Sequence, residues 1–138
     1  SVKTVSNAMD VGNPSNFFRI LDLYEKNFDF LRNDITGYSY TDDQTKEAMR
    51  KIYSEKRYVV DPHGAIGYLG LNEYLRNNGK ECGIFLETAH PAKFHDVVFS
   101  ALGESIPIPT ALAKFMAGKK STILMSKEFE DFKAYLLR

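Results

Sequence analysis

Residues 87–94 read ETAHPAKF and follow directly on the apolar run CGIFL. Thr88 offers a hydroxyl that donates or accepts a bond, His90 an imidazole and Lys93 an ammonium. A strand-like run that closes in small and polar residues, before a proline that opens a helix, has the order of a ligand site at the carboxyl end of a strand in an α/β protein. A helix starting near Pro91 directs the positive end of its dipole toward the same crevice. Taken alone, these residues leave Thr88 as readily a structural hydroxyl as a ligand contact.

Other arrangements carry less. GKKST (118–122) has the look of a phosphate-loop tail, but Ala113 stands where the first glycine is required and Lys120 displaces the hydroxyl. His63, His90 and His95 do not have metal-ligand spacing, since paired helical ligands want positions i and i+4, so no metal is expected. Asp42-Asp43 reads as a helix-start pair favoured by the macrodipole, not as an acid/base dyad. No strained G-x-S-x-G elbow is present.

These residues need elements to position them. Asn13-Pro14 reads as a cap and first-turn pair, with Phe17, Ile20, Leu21, Tyr24, Phe28 and Leu31 forming the apolar stripe of a helix over about 14–33. Thr41 with Gln44 makes a capping box for a second helix ending near 56, with a narrow stripe of Ala48, Met49, Ile52 and Tyr53. Asp61-Pro62 caps and opens a third, over about 62–77, in which Gly64, Gly67 and Gly70 imply a close neighbour to the backbone. That neighbour is a packed strand or helix on one reading and a cofactor or substrate on another. CGIFLE (82–87) reads as a short buried strand, with Cys82 an inert core thiol. A helix then runs from Pro91 to about Leu102 and is stopped by Gly103. PIPTALAKFMAG supplies another short helix and STILM (121–125) a second strand. Ser126 caps a last helix with Phe129, Phe132, Tyr135 and Leu136 on one face. The expectation is an α/β piece, rich in helix, with two or three short strands, too few for a whole doubly wound sheet.

Composition sets the outer bounds. The 138 residues suffice for one domain with a real core, and the apolar fraction of 43% argues for a folded body. Lysine plus arginine equals aspartate plus glutamate at 18 each, so no charge excess points to nucleic acid or an anionic membrane. The one cysteine excludes an internal disulfide and suits a reducing cytoplasm. No apolar run approaches the length of a membrane span, and neither a span nor a secretory leader is expected.

Three segments together, SNAMDVGNPSNFFRIL (6–21), YVVDPHGAIGYLGL (58–71) and GIFLETAHPAKF (83–94), resemble the carboxyl-terminal third of threonine synthase in order and approximate spacing. The resemblance covers nearly the whole chain. It implies the helix-rich carboxyl-terminal portion of a fold-type-II pyridoxal 5'-phosphate enzyme, which converts O-phosphohomoserine and water to L-threonine and phosphate. It places Thr88 at the pyridine nitrogen, His90 near the cofactor, and Lys93 near the phosphorylated substrate. It also implies that residues 1–138 form one carboxyl-terminal segment contributing one wall of the active site. The family's Schiff-base lysine, in a serine-phenylalanine-lysine-aspartate-type motif, and its phosphate-binding loop are not among these residues. The chain, which starts without methionine, is therefore expected to be a fragment, inactive alone, self-associating through faces that the missing amino-terminal part would cover. Two alternatives stand beside this: a non-catalytic α/β binding or interaction module, and a related phospholyase acting on another phosphorylated amino acid.

Overall fold

A computed structural model describes residues 2–79 and 82–137. They divide into two compact units, one ending at Pro107 and one beginning at Ile108.

In the first unit, a 3-10 turn (Asn7–Met9) precedes α1 (Phe17–Leu23) and α2 (Phe28–Asp34). The single helix expected over 14–33 is thus two. Glu25 and Lys26 take left-handed backbone angles (φ 49° and 58°), which turn the chain. The Asn27 side chain then accepts from the Asp29 and Phe30 amides and starts α2 afresh. Asn13-Pro14 does not cap α1; its N-cap is Asn16, and Phe17 N–H donates to the Pro14 carbonyl at 3.1 Å.

The helix α3 (Asp42–Lys56) opens with the expected capping box: Gln44 N–H donates to Thr41 Oγ1 and Thr41 N–H to Gln44 Oε1. Its inner face buries Thr45, Ala48, Met49 and Ile52. Asp42 also accepts from the Val5 amide at 3.1 Å, which ties the amino-terminal segment to this helix start. The helix α4 (Pro62–Asn78) is capped by Asp61 as its sequence predicts.

A 3-10 turn (Pro91–Phe94) leads into α5 (His95–Leu102), which Gly103 ends in the left-handed region at φ 75°. The helix expected from Pro91 is therefore interrupted at Phe94, whose ψ of 36° is not helical. A four-residue turn sums few peptide dipoles, so the positive helix end expected beside Thr88 is weak. Helices α3, α4 and α5 enclose the core: Ala48, Met49, Ile52, Val60, Ala65, Val98 and Ala101, ringed by Val59, Tyr68, Leu69, Phe94, Val97, Leu102 and Ile106.

No β-strand occurs among the described residues, in contrast to the two or three expected. The run at 82–88 lies against α4 with no neighbouring chain, and a strand exists only through its ladder of hydrogen bonds to another. It still keeps the two-sided pattern of one. Phe85, Glu87 and Ala89 are half-buried, whereas Ile84, Leu86 and Thr88 are exposed. Cys82 is likewise exposed and is not a core thiol.

The second unit holds α6 (Thr110–Met116) and α7 (Phe129–Leu136). The expected strand at 121–125 is also unpaired, with Leu124 99% exposed. Glu128, not Ser126, is the N-cap of α7; Ser126 Oγ accepts from the Glu128 amide and donates to the Asp131 carboxylate.

Candidate functional site

Two sets of residues meet at the first turn of α4. One is the exposed bend 88–93, and the other is a buried polar cluster beneath it.

The cluster begins with the cap. Asp61 is fully buried, and its Oδ1 accepts from Gly64 N–H at 2.8 Å, satisfying one of the four amides that every helix start leaves open. A complete capping box needs a glutamate or glutamine at Gly64 to reach back to the Asp61 amide. Gly64 has no side chain, and the acid comes instead from 26 residues away: Asp61 N–H donates to Glu87 Oε1 at 2.9 Å. A Cβ added to Gly64 would land inside the Glu87 carboxyl group, within 2.7 Å of Cδ and 3.1 Å of Oε1. The glycine is therefore the space in which the carboxylate sits. Gly67 faces Phe85 at 3.8 Å and Gly70 faces the Tyr38 ring at 3.3 Å, so tight packing accounts for all three glycines of α4.

His63 completes the cluster. Its Nε2 lies 3.1 Å from the Ser6 carbonyl, which can only accept, so that nitrogen carries hydrogen. Its Nδ1 stands 3.4 Å from Asp61 Oδ1, and its ring packs at a tilt on Phe94 with centroids 4.9 Å apart. Three buried polar atoms, Asp61 Oδ2, His63 Nδ1 and Glu87 Oε2, have no hydrogen-bond partner among the described residues. Burial raises the Glu87 carboxyl above its ordinary range; the bond from the Asp61 amide pulls it down, the Asp61 charge pushes it up, and His63 offsets part of the rise.

Thr88 is exposed on the face opposite Glu87, and its hydroxyl makes no hydrogen bond among the described residues. His90 is exposed but committed locally: its Nδ1 accepts from the Ala92 amide at 3.1 Å and caps the 3-10 turn. Lys93 is exposed, and its ammonium forms no ion pair among the described residues. All three thus occupy one short exposed bend. Sequence reasoning missed Glu87 and His63. The signal was a helix with an aspartate cap and a glycine where the box acid belongs, an amide that something distant must satisfy.

An open cleft of about 1090 Å³ lies elsewhere, between α3 and α4. Asp43, Glu47, Arg50 and Lys51 line it from α3 and Glu73 and Arg76 from α4, and no residue of 87–94 lines it. Its Tyr40 phenol, bonded to Glu73 Oε2 at 2.7 Å, is pushed up to about 12 by burial and that bond. It is a neutral donor at any ordinary pH, unsuited to proton transfer.

Comparison with known proteins places this geometry. The family model described as threonine synthase, C-terminal, matches residues 64–136, a span that includes Gly64, Glu87 and the whole bend. Threonine synthase of Haemophilus influenzae is 38% identical over 138 residues, covering all of this chain and 32% of that protein. The crystal structure of threonine synthase from Escherichia coli superposes with a TM-score of 0.76 at 32% identity, over 97% of this chain and 30% of that one. The structure of pyridoxal-phosphate-bound threonine synthase from Brucella melitensis matches with a TM-score of 0.63 at 25% identity, over 98% of this chain and 34% of that one. The chain spans about a third of the length of these relatives.

Proposed function

This chain belongs to the threonine synthase family, and we propose that it is the carboxyl-terminal segment of an enzyme converting O-phosphohomoserine and water to L-threonine and phosphate. The observation that carries this reading is the family match running unbroken through the site, from the first turn of α4 across the bend at 88–93. The segment supplies one wall of an active site; the amino-terminal part of the same protein supplies the rest, including the Schiff-base lysine whose motif these residues lack. By itself the segment is inactive. Among the described residues no helix is long and apolar enough to cross a membrane; a cytoplasmic location is part of the proposal.

The residues present fit pyridoxal 5'-phosphate at one edge. Bound there, the cofactor supplies an electron sink for negative charge developing on substrate carbons. The Thr88 hydroxyl, outward and uncommitted, would donate a hydrogen bond to the pyridine nitrogen. A neutral hydroxyl holds that nitrogen without stabilising a proton on it, as a carboxylate would. The Lys93 ammonium faces outward and attracts the substrate's phosphate. His90 spends Nδ1 on the turn and holds the bend in shape, so Nε2 is the nitrogen that would meet the cofactor.

The decisive experiment supplies the purified full-length protein with pyridoxal phosphate and O-phosphohomoserine, and follows phosphate release and threonine formation together. Equimolar products are expected. Phosphate release with a different organic product would favour a phospholyase of other specificity. No turnover, with cofactor unbound, would favour a non-catalytic module.

A further inference from the structure

We propose that Glu87 is a positioning residue for this reaction: by serving as the missing capping-box acid of α4, it holds the Thr88 hydroxyl on the outer face. The proposal rests on the reading of Thr88 given above.

Glu87 and Thr88 are neighbours on an extended run, so their side chains point to opposite sides. Fixing one inward fixes the other outward. A slip of one residue would exchange the faces and turn Thr88 into the body. The inward contacts of Phe85, at 3.8 Å from the Gly67 position and edge-on to Tyr68 at 5.9 Å, are apolar and tolerate sliding. The bond from Asp61 N–H to Glu87 Oε1 joins two particular atoms and does not. The missing side chain at Gly64 leaves the space that the Glu87 carboxyl group, one residue before Thr88, occupies.

The other end of the bend is held from the same helix turn. Phe94, which closes the stretch carrying His90 and Lys93, packs on the His63 ring, and His63 is fixed by the Ser6 carbonyl. Residues 88–93 are therefore bracketed by two anchors, Glu87 and Phe94, both seated on residues 61–64.

The test compares Glu87→Ala, Glu87→Gln, Thr88→Val and the double variant Glu87→Ala/Thr88→Val in the full-length protein. Glu87→Ala should lower kcat about tenfold with KM changed less than about twofold, the pattern of a group acting on the transition state. Glu87→Gln keeps an oxygen for the Asp61 amide and should recover kcat to within about threefold of wild type. Because Glu87 acts through Thr88, adding Glu87→Ala to Thr88→Val should cost less than about twofold more, a non-additive cycle. Losses that multiply, or a glutamine variant as impaired as the alanine variant, would overturn the proposal. Amide exchange at Asp61, measured without cofactor, gives a readout free of activity: protection should fall about tenfold in Glu87→Ala and persist in Glu87→Gln. Unchanged protection in Glu87→Ala would remove the clamp. If wild type makes no threonine, the functional reading fails, and the exchange result still decides the clamp. If Glu87→Ala does not fold, Gly64→Ala, which drives the carboxyl group out of its socket, replaces it with the same expected kcat loss and non-additivity.

Discussion

Substituting Gly64 by alanine should weaken the start of α4, although alanine is the better helix former. In a helix interior the exchange gains up to about 1 kcal/mol from reduced backbone entropy and propensity. Against this stands the position of the new methyl. It would overlap the carboxyl group of Glu87, with Cδ at 2.7 Å and Oε1 at 3.1 Å, so turning the group about its terminal bond does not clear the space. The whole carboxyl must withdraw, and the hydrogen bond from the Asp61 amide goes with it. A bond to a charged acceptor contributes about 1.5–3 kcal/mol, and the amide it leaves is buried. The balance is a loss of about 0.5–2 kcal/mol, or an opening equilibrium raised roughly 2- to 30-fold. Native-state amide exchange over residues 61–68 of the full-length protein reads this directly, because it reports local opening and not the unfolding of other parts. In the double variant Gly64→Ala/Glu87→Ala the socket is empty, so the methyl fits and the propensity gain returns. That variant should be better protected than Glu87→Ala alone. A Gly64→Ala protein more protected than wild type would refute the reasoning, since it would mean that the carboxyl group moves aside at no cost.

The raised Glu87 carboxyl predicts a pH effect with a definite sign. The folded state holds this proton more tightly than the unfolded chain does, so its contribution is full below the ordinary carboxyl value of 4.5 and is lost as pH rises through the raised value. Opening free energies at residues 61–64 should therefore decline as pH rises above 4.5 in wild type and stay flat in Glu87→Gln; a slope that survives the substitution assigns the effect to another group. In the proposed site, Thr88→Val would leave the pyridine nitrogen facing a methyl, and an unsatisfied buried acceptor costs about 1–3 kcal/mol. Turnover should then drop about ten- to a hundredfold, with Thr88→Ser mild, and full activity in the valine variant removes Thr88 from the cofactor edge. The 138-residue chain expressed alone should sediment as a dimer or larger and release no phosphate from O-phosphohomoserine, a strict monomer being the contrary result.

What could be read from the residues was local. The Thr41–Gln44 box, the Asp61 cap, the Gly103 stop and the stripe of α3 each depend on contacts within a turn or two, and each has the expected form. The break between α1 and α2 depends on left-handed angles at Glu25 and Lys26, residues that give no warning of them. The runs at 82–87 and 121–125 have strand-like composition, but pairing requires a partner that their own sequence does not contain. Cys82 was misplaced for the same reason, since an apolar run was equated with a buried one. In the site, Thr88, His90 and Lys93 stand together because they are neighbours in the chain. Glu87 and His63 were invisible because their roles are set by contacts across 26 and 57 residues.

The exposure along 84–89 joins the fold to the proposed chemistry. Ile84 is 88% exposed and Leu86 74%, on the same side as Thr88. Leaving two large aliphatic side chains in water forgoes about 1.5–3 kcal/mol each, so this face is suited to being covered. The relatives are about three times as long as this chain, and in the proposed enzyme the remainder of the protein lies over that face. The Thr88 hydroxyl would then be shut into the same contact, away from water, where a single neutral hydrogen bond matters more than it does on an open surface. A site of this kind does not exist until both parts are present. The inner face, with its clamp at Glu87, decides where the hydroxyl points, and the outer face, once covered, decides how strongly it acts.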